Sequence, residues 1–118
     1  MSLWGPVVAY MAMIFGLSSL STVPSPPEGF SFYDVHIAVY LGLGVLSARA
    51  LARGVRDVSW AAVIGAILIS SLYGVSDEYH QLFVPGRSFD YLDMVADLVG
   101  SVAGACGVGA WSIIRRRF

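Results

Sequence analysis

Four long apolar runs, residues 3–20, 35–52, 58–75 and 94–114, leave this chain few folds to choose from. A bilayer core takes about 20 residues of helix, with a usual range of about 17–25. Each run reaches that range, the fourth comfortably. In lipid every backbone polar group must be satisfied within the structure, which only helices and closed barrels achieve. The runs lack the period-2 alternation of a membrane barrel. The breaks between them are equally clear. Residues 21–31 hold Pro24, Pro26, Pro27 and Gly29, residues 53–57 form a short polar turn, and residues 79–89 contain Pro85-Gly86. None of these segments continues a helix easily. The expected fold is all-α: one domain over residues 1–118, a small polytopic membrane bundle of four transmembrane helices with both termini cytoplasmic.

Composition excludes an ordinary soluble domain. Apolar residues make up 57% of the chain and charged residues 13%, against about 25% charged in soluble domains. The single Cys106 sits within an apolar run, so no intrachain disulfide can form and a small packing role is expected. The first run lacks a basic flank, since no lysine or arginine precedes Arg49. Ser21-Thr22-Val23-Pro24 is also a poor small-x-small cleavage site, so a retained helix is expected rather than a signal peptide. All seven basic residues are arginine. Arg49, Arg53 and Arg56 flank the second link, and Arg115, Arg116 and Arg117 lie beyond the fourth run. The positive-inside rule places both groups in the cytoplasm. Glu28, Asp34, Asp77, Glu78, Arg87, Asp90 and Asp93 then fall on the extracytoplasmic side of a multi-pass cell-membrane protein. A three-span alternative, with the first run cleaved or peripheral, leaves the acidic motif on the same face.

That motif is where chemistry concentrates. Five of the eight acidic residues lie between Asp77 and Asp97, together with His80 and Arg87. Helical spacing gathers the unusual residues into stripes. Asp90, Asp93, Asp97, Gly100, Gly104 and Gly107 share one face of the fourth run. Ser70, Gly74, Asp77 and Gln81 share a face of the third, and His36, Tyr40, Gly44 and Ser47 a face of the second. Glycines let membrane helices approach closely, so the stripes point to one shared interior. The candidate ligand-binding residues are His36, Tyr40, Asp77, Glu78, His80, Gln81, Arg87, Asp93 and Asp97, lining an outward-facing polar cup. Carboxylates crowded around few cations are one route to a general acid or base at neutral pH.

Structural readings stand beside these. Asp77-Glu78 could be a solvated loop, Asp90 a helix cap and Asp97 a hydrogen-bonding group. His36 could merely open a helix, and Tyr33, Trp60 and Trp111 suit interfacial anchors. Asp77, Glu78, His80, Asp93 and Asp97 carry oxygen and imidazole donors suited to Mg, Mn, Ca or Zn. The D-E-x-H spacing is not a zinc signature, so metal and cofactor are left open. No serine stands in an elbow-like context for nucleophilic catalysis.

The block Ser76-Asp77-Glu78-Tyr79-His80-Gln81-Leu82-Phe83-Val84-Pro85-Gly86-Arg87, followed by Asp93, Asp97 and Gly100, resembles the signature of the VanZ-like membrane proteins. Phe15-Gly16-Leu17-Ser18-Ser19 is similar to that family's first-helix ending, and His36 with Tyr40 to its second-helix entrance. One departure stands out: an Asp-Lys pair common in the family is replaced by Phe32-Tyr33. The resemblance implies an accessory protein of the cell envelope, in a family named for low-level antibiotic resistance to teicoplanin. It implies no particular reaction.

Two functions compete. The first is a non-enzymatic envelope protein performing lipid binding, whose cup takes a lipid-linked envelope precursor or a lipoglycopeptide, with Arg87 meeting an anionic head group. The second is an intramembrane hydrolase or transferase acting on a lipid phosphate or ester through His80 and the carboxylates. Membrane lipids are the expected partners, nucleic acid is not, and a homo-oligomer is left open because a transporter or flippase reading would require one. Topology gives a direct check of orientation. Reporters fused after Arg56 and after Phe118 should read cytoplasm and one at Gly86 the opposite side; a cytoplasmic signal from Gly86 would reverse the assignment.

Overall fold

The computed structural model describes residues 3–20, 28–54, 57–85 and 91–117. They form four α-helices: α1 (Trp4–Ser18), α2 (Phe32–Ala52), α3 (Trp60–Gln81) and α4 (Tyr91–Arg117). The last three are long and apolar enough to cross a membrane. The first has 15 residues, a length of about 22 Å at 1.5 Å per residue. Its helix is thus shorter than its apolar run. The Ser19 hydroxyl donates to the Phe15 carbonyl at 2.8 Å, and a serine that engages the backbone in this way favours helix ends over helix interiors.

α3 departs from expectation in the opposite sense. It continues beyond Val75 to Gln81, as the stripe of Ser70, Gly74, Asp77 and Gln81 requires, so Asp77-Glu78 is helical and the link begins after Gln81 instead of at Tyr79. Nothing in that stretch breaks a helix, and Pro85 comes only after the end. Tight bonds close the helix, from Leu82 N–H to Tyr79 O at 3.2 Å and from Phe83 N–H to His80 O at 3.0 Å. The starts are capped as their sequences suggest. Ser31 and Asp34 exchange side-chain and backbone hydrogen bonds in a capping box at α2, and Ser59 Oγ accepts from Ala62 N–H at 3.1 Å on α3.

Polarity runs inside out. Ile64, Leu68, Leu72 and Val75 form an exposed apolar stripe along α3, while Ser47, Ser70, Ser101 and Ser112 are fully buried. A bundle that keeps its hydroxyls inward and its branched apolar side chains outward is built for lipid. Trp60 and Trp111 are exposed near the helix ends away from Asp77, Glu78, Asp93 and Asp97. The Arg115 guanidinium lies 5.9 Å from the Trp111 ring centre. Cys106, expected to pack inside, is instead exposed on α4.

The closest association is between α2 and α4. A Cβ on Gly100 would strike the Ile37 carbonyl oxygen, and one on Gly104 would strike that of Leu41. From the other side, a Cβ on Gly44 would stand 2.6 Å from Ser101 O. Glycines of both helices therefore set the approach. α3 joins them through small residues, with Ala48, Ala62, Ala66 and Ala105 buried alongside Val63 and Val108. α1 lies against α2 and α3, tied by phenol hydroxyls that donate to backbone carbonyls: Tyr10 to Val39 O at 2.6 Å and Tyr73 to Met11 O at 2.5 Å.

Gly107 is a built-in control, since nothing lies within 4 Å of a Cβ there. Gly104→Ala should destabilise the bundle by about 1–3 kcal/mol, the usual cost of overpacking, whereas Gly107→Ala should leave it unchanged or slightly more stable. Thermal unfolding in detergent distinguishes the two; equal effects would contradict the α2–α4 packing.

Candidate functional site

Each membrane-length helix brings a pair of residues, one turn apart, to the same end of the bundle. α2 supplies His36 and Tyr40, α3 supplies Glu78 above Gly74, and α4 supplies Asp93 and Asp97. Residues four apart stack along one face. The outer members lie within about one turn, or about 5 Å, of their helix ends. The inner members lie one turn deeper.

The strongest link crosses from α2 to α4. His36 Nδ1 is 2.7 Å from Asp97 Oδ1, and His36 Nε2 is 3.9 Å from Asp93 Oδ2. With Asp97 as the carboxylate, Nδ1–H donates, and Nε2 is the ring nitrogen that faces Asp93. The Asp97 backbone contributes too, accepting from the Ser101 hydroxyl at 2.8 Å. A Cβ on Gly74 would stand 2.9 Å from Asp97 Oδ2, so the missing side chain at Gly74 makes room for the carboxylate. One atom each from His36, Glu78 and Asp93 lie within 4.8 Å of one another, a spacing that could hold a metal ion.

Burial makes this cluster energetically costly to leave incomplete. Glu78 is 0% exposed, Asp97 1% and Tyr40 1%. Buried charges require pairing or hydrogen bonds. Asp97 Oδ2 and the Tyr40 hydroxyl have no hydrogen-bond partner among the described residues. Tyr40 sits within electrostatic range of Asp77, Asp97 and Glu78, and His36 within range of Asp97, Asp93 and Glu78. Asp93 lies in the first turn of α4, where the helix dipole favours an anion.

The other candidates are distributed around this centre. Asp77 and Gln81 are buried on α3. His80 points to α1, where its Nε2 is 3.1 Å from Ser19 Oγ and its ring stacks on Phe15 at 4.5 Å. Arg87 and the suggested cap Asp90 lie outside the described residues. Sequence spacing aligned His36 with Tyr40, and Asp93 with Asp97, but gave no signal for the pairing of His36 with Asp97 or for the role of Ser19 and Phe15. A separate cleft lined by Val58, Trp60, Val63, Gly109 and Ile113 lies at the opposite end and lacks ionisable groups.

The VanZ/LLP1 family model matches residues 14–114 of the chain. The chain belongs to that family, and the matched segment contains the whole polar cluster. No curated protein and no solved structure matches it significantly.

The two halves of the His36–Asp97 pair should respond unequally to substitution. Asp97→Asn keeps an oxygen to accept from Nδ1–H and should cost under about 1.5 kcal/mol. His36→Ala leaves a buried carboxylate without its partner and should cost about 3 kcal/mol or more. Denaturation in detergent provides the comparison; a His36→Ala variant as stable as wild type would show that the pair does not hold the helices together.

Proposed function

We propose that this VanZ/LLP1 family protein is an integral membrane protein of the cell envelope that binds the polar head of a lipophilic ligand at the His36 end of its bundle. The ligand is a lipid-linked envelope precursor or an acyl-bearing glycopeptide of the teicoplanin type. The polar end faces away from the cytoplasm, a reading supported by the arginines gathered near the other end.

One observation carries the proposal. The cluster of buried Tyr40, Glu78 and Asp97 with half-buried His36 and Asp93 is bordered, at the same helix ends, by exposed Phe32, Phe83, Tyr91 and Leu92. A polar centre with an apolar and aromatic border suits an amphiphile, whose head takes hydrogen bonds while its chains stay in lipid.

A second reading, an intramembrane hydrolase or transferase acting on a lipid phosphate or ester, is favoured by a different feature. The 2.7 Å contact from Asp97 orients the His36 ring and leaves its far nitrogen available for proton transfer. His80, expected to do that work with the carboxylates, has its Nε2 3.1 Å from Ser19 Oγ and its ring stacked on Phe15. In this reading His36 is the base.

Teicoplanin susceptibility at matched membrane abundance, with native mass spectrometry of the extracted protein, tests both. Under the binding reading, His36→Ala removes protection and retained lipid while Asp97→Asn keeps most of both. Under the enzymatic reading, Asp97→Asn loses activity by ~100-fold or more, the usual scale for acid–base catalysis. A wild-type protein that neither alters susceptibility nor retains a lipid would refute the binding reading.

A further inference from the structure

We infer that His36, Glu78 and Asp93 form a site for one divalent transition-metal ion of the zinc or manganese type. The site does not depend on the identity of any lipophilic ligand, because its occupancy can be measured with the metal alone.

The geometry begins with three donors from three different helices, all within 4.8 Å of one another. Ligands held at about 2.0–2.2 Å from an ion stand at most about 4.4 Å apart. The three atoms are therefore a small side-chain rotation from coordination, and Glu78 has the longest side chain to supply it. His36 Nε2 and Asp93 Oδ2, at 3.9 Å, already stand within that span. They are too far apart for a good direct hydrogen bond.

The donor set selects the metal. One imidazole and two carboxylates suit Zn²⁺ or Mn²⁺, whereas Ca²⁺ takes six to eight oxygens and Mg²⁺ keeps most of its waters. Three protein ligands also leave a coordination position for water or another ligand.

The surroundings point the same way. Metal-bound histidines almost always engage their second nitrogen with a carboxylate or carbonyl, which fixes the tautomer and aims the ring. Asp97 does this at 2.7 Å from Nδ1. It is a positioning residue and not a ligand. Its Oδ2 and the Tyr40 hydroxyl, both on residues 1% exposed, find no hydrogen-bond partner among the described residues. These are independent signs that the polar end is built around something more than its own side chains.

The decisive experiment uses the full chain in detergent, stripped with a chelator and titrated with ZnCl₂, MnCl₂ or CoCl₂. Elemental analysis and calorimetry should give one ion per chain, and Co²⁺ should produce visible d–d bands. Asp93→Asn and Glu78→Gln should each weaken binding by at least ~10-fold, and Asp97→Asn by ~10–100-fold with a shifted Co²⁺ spectrum, the range typical of outer-shell partners. His80→Ala should bind as wild type. Should buried Glu78→Gln fail to fold, the half-buried Asp93→Asn variant, checked by circular dichroism, carries the test. No binding at millimolar metal would overturn the site, as would stoichiometric binding undiminished in a folded Asp93→Asn protein.

Discussion

The closeness of α2 to α4 is the constraint on which everything at the polar end depends. Gly44, Gly100 and Gly104 stand where any side chain would meet the backbone of the facing helix. In lipid there is no hydrophobic force pressing helices together, so packing and hydrogen bonds must hold them. Small residues maximise the first by letting backbones meet. That approach brings the His36 ring within 2.7 Å of a carboxylate on the other helix. A wider separation would leave both groups buried without each other, at a cost of several kcal/mol.

α3 completes the arrangement from the side. Its helix runs past the apolar segment, carrying Asp77, Glu78 and Gln81 into the interior instead of out into a loop. Gly74 leaves the room that the Asp97 carboxylate fills. Here a glycine on one helix makes room for an acidic side chain on another. The polar end is thus a product of what is missing from the sequence as much as of what is present.

Helix number, membrane character and the inward stripes were legible before any coordinates. Ser70, Gly74, Asp77 and Gln81 do form one buried face of α3, and Tyr40, Gly44 and Ser47 one of α2. Spacing along a helix reports its own faces well because the 3.6-residue period is fixed by the backbone. It reports nothing about rotation of one helix against another. The meeting of His36 with Asp97, across 61 residues, depends on that rotation, as does the diversion of His80 toward Ser19 and Phe15. Gly107 shows the same limit from the other side, since the stripe leaves the interface as the helix turns. At the end of α3 the stripe to Gln81 and the polar link from Tyr79 overlap in the sequence, and the helix prevails because no residue before Pro85 forces the backbone to stop.

The short first helix has a consequence for the membrane itself. α1 is anchored to the bundle by Tyr10 and Tyr73 through backbone carbonyls, yet it is about 8 Å shorter than a typical hydrocarbon core. A helix of that length, were it to cross the bilayer, would be accommodated by local thinning or by snorkelling of its flanks. Its C-terminal end contacts His80, at the same end as the carboxylates. Thinning beside α1 would draw the lipid head-group layer inward on that side. The bilayer would then present its own polar layer to the protein on the side where Ser19 meets His80.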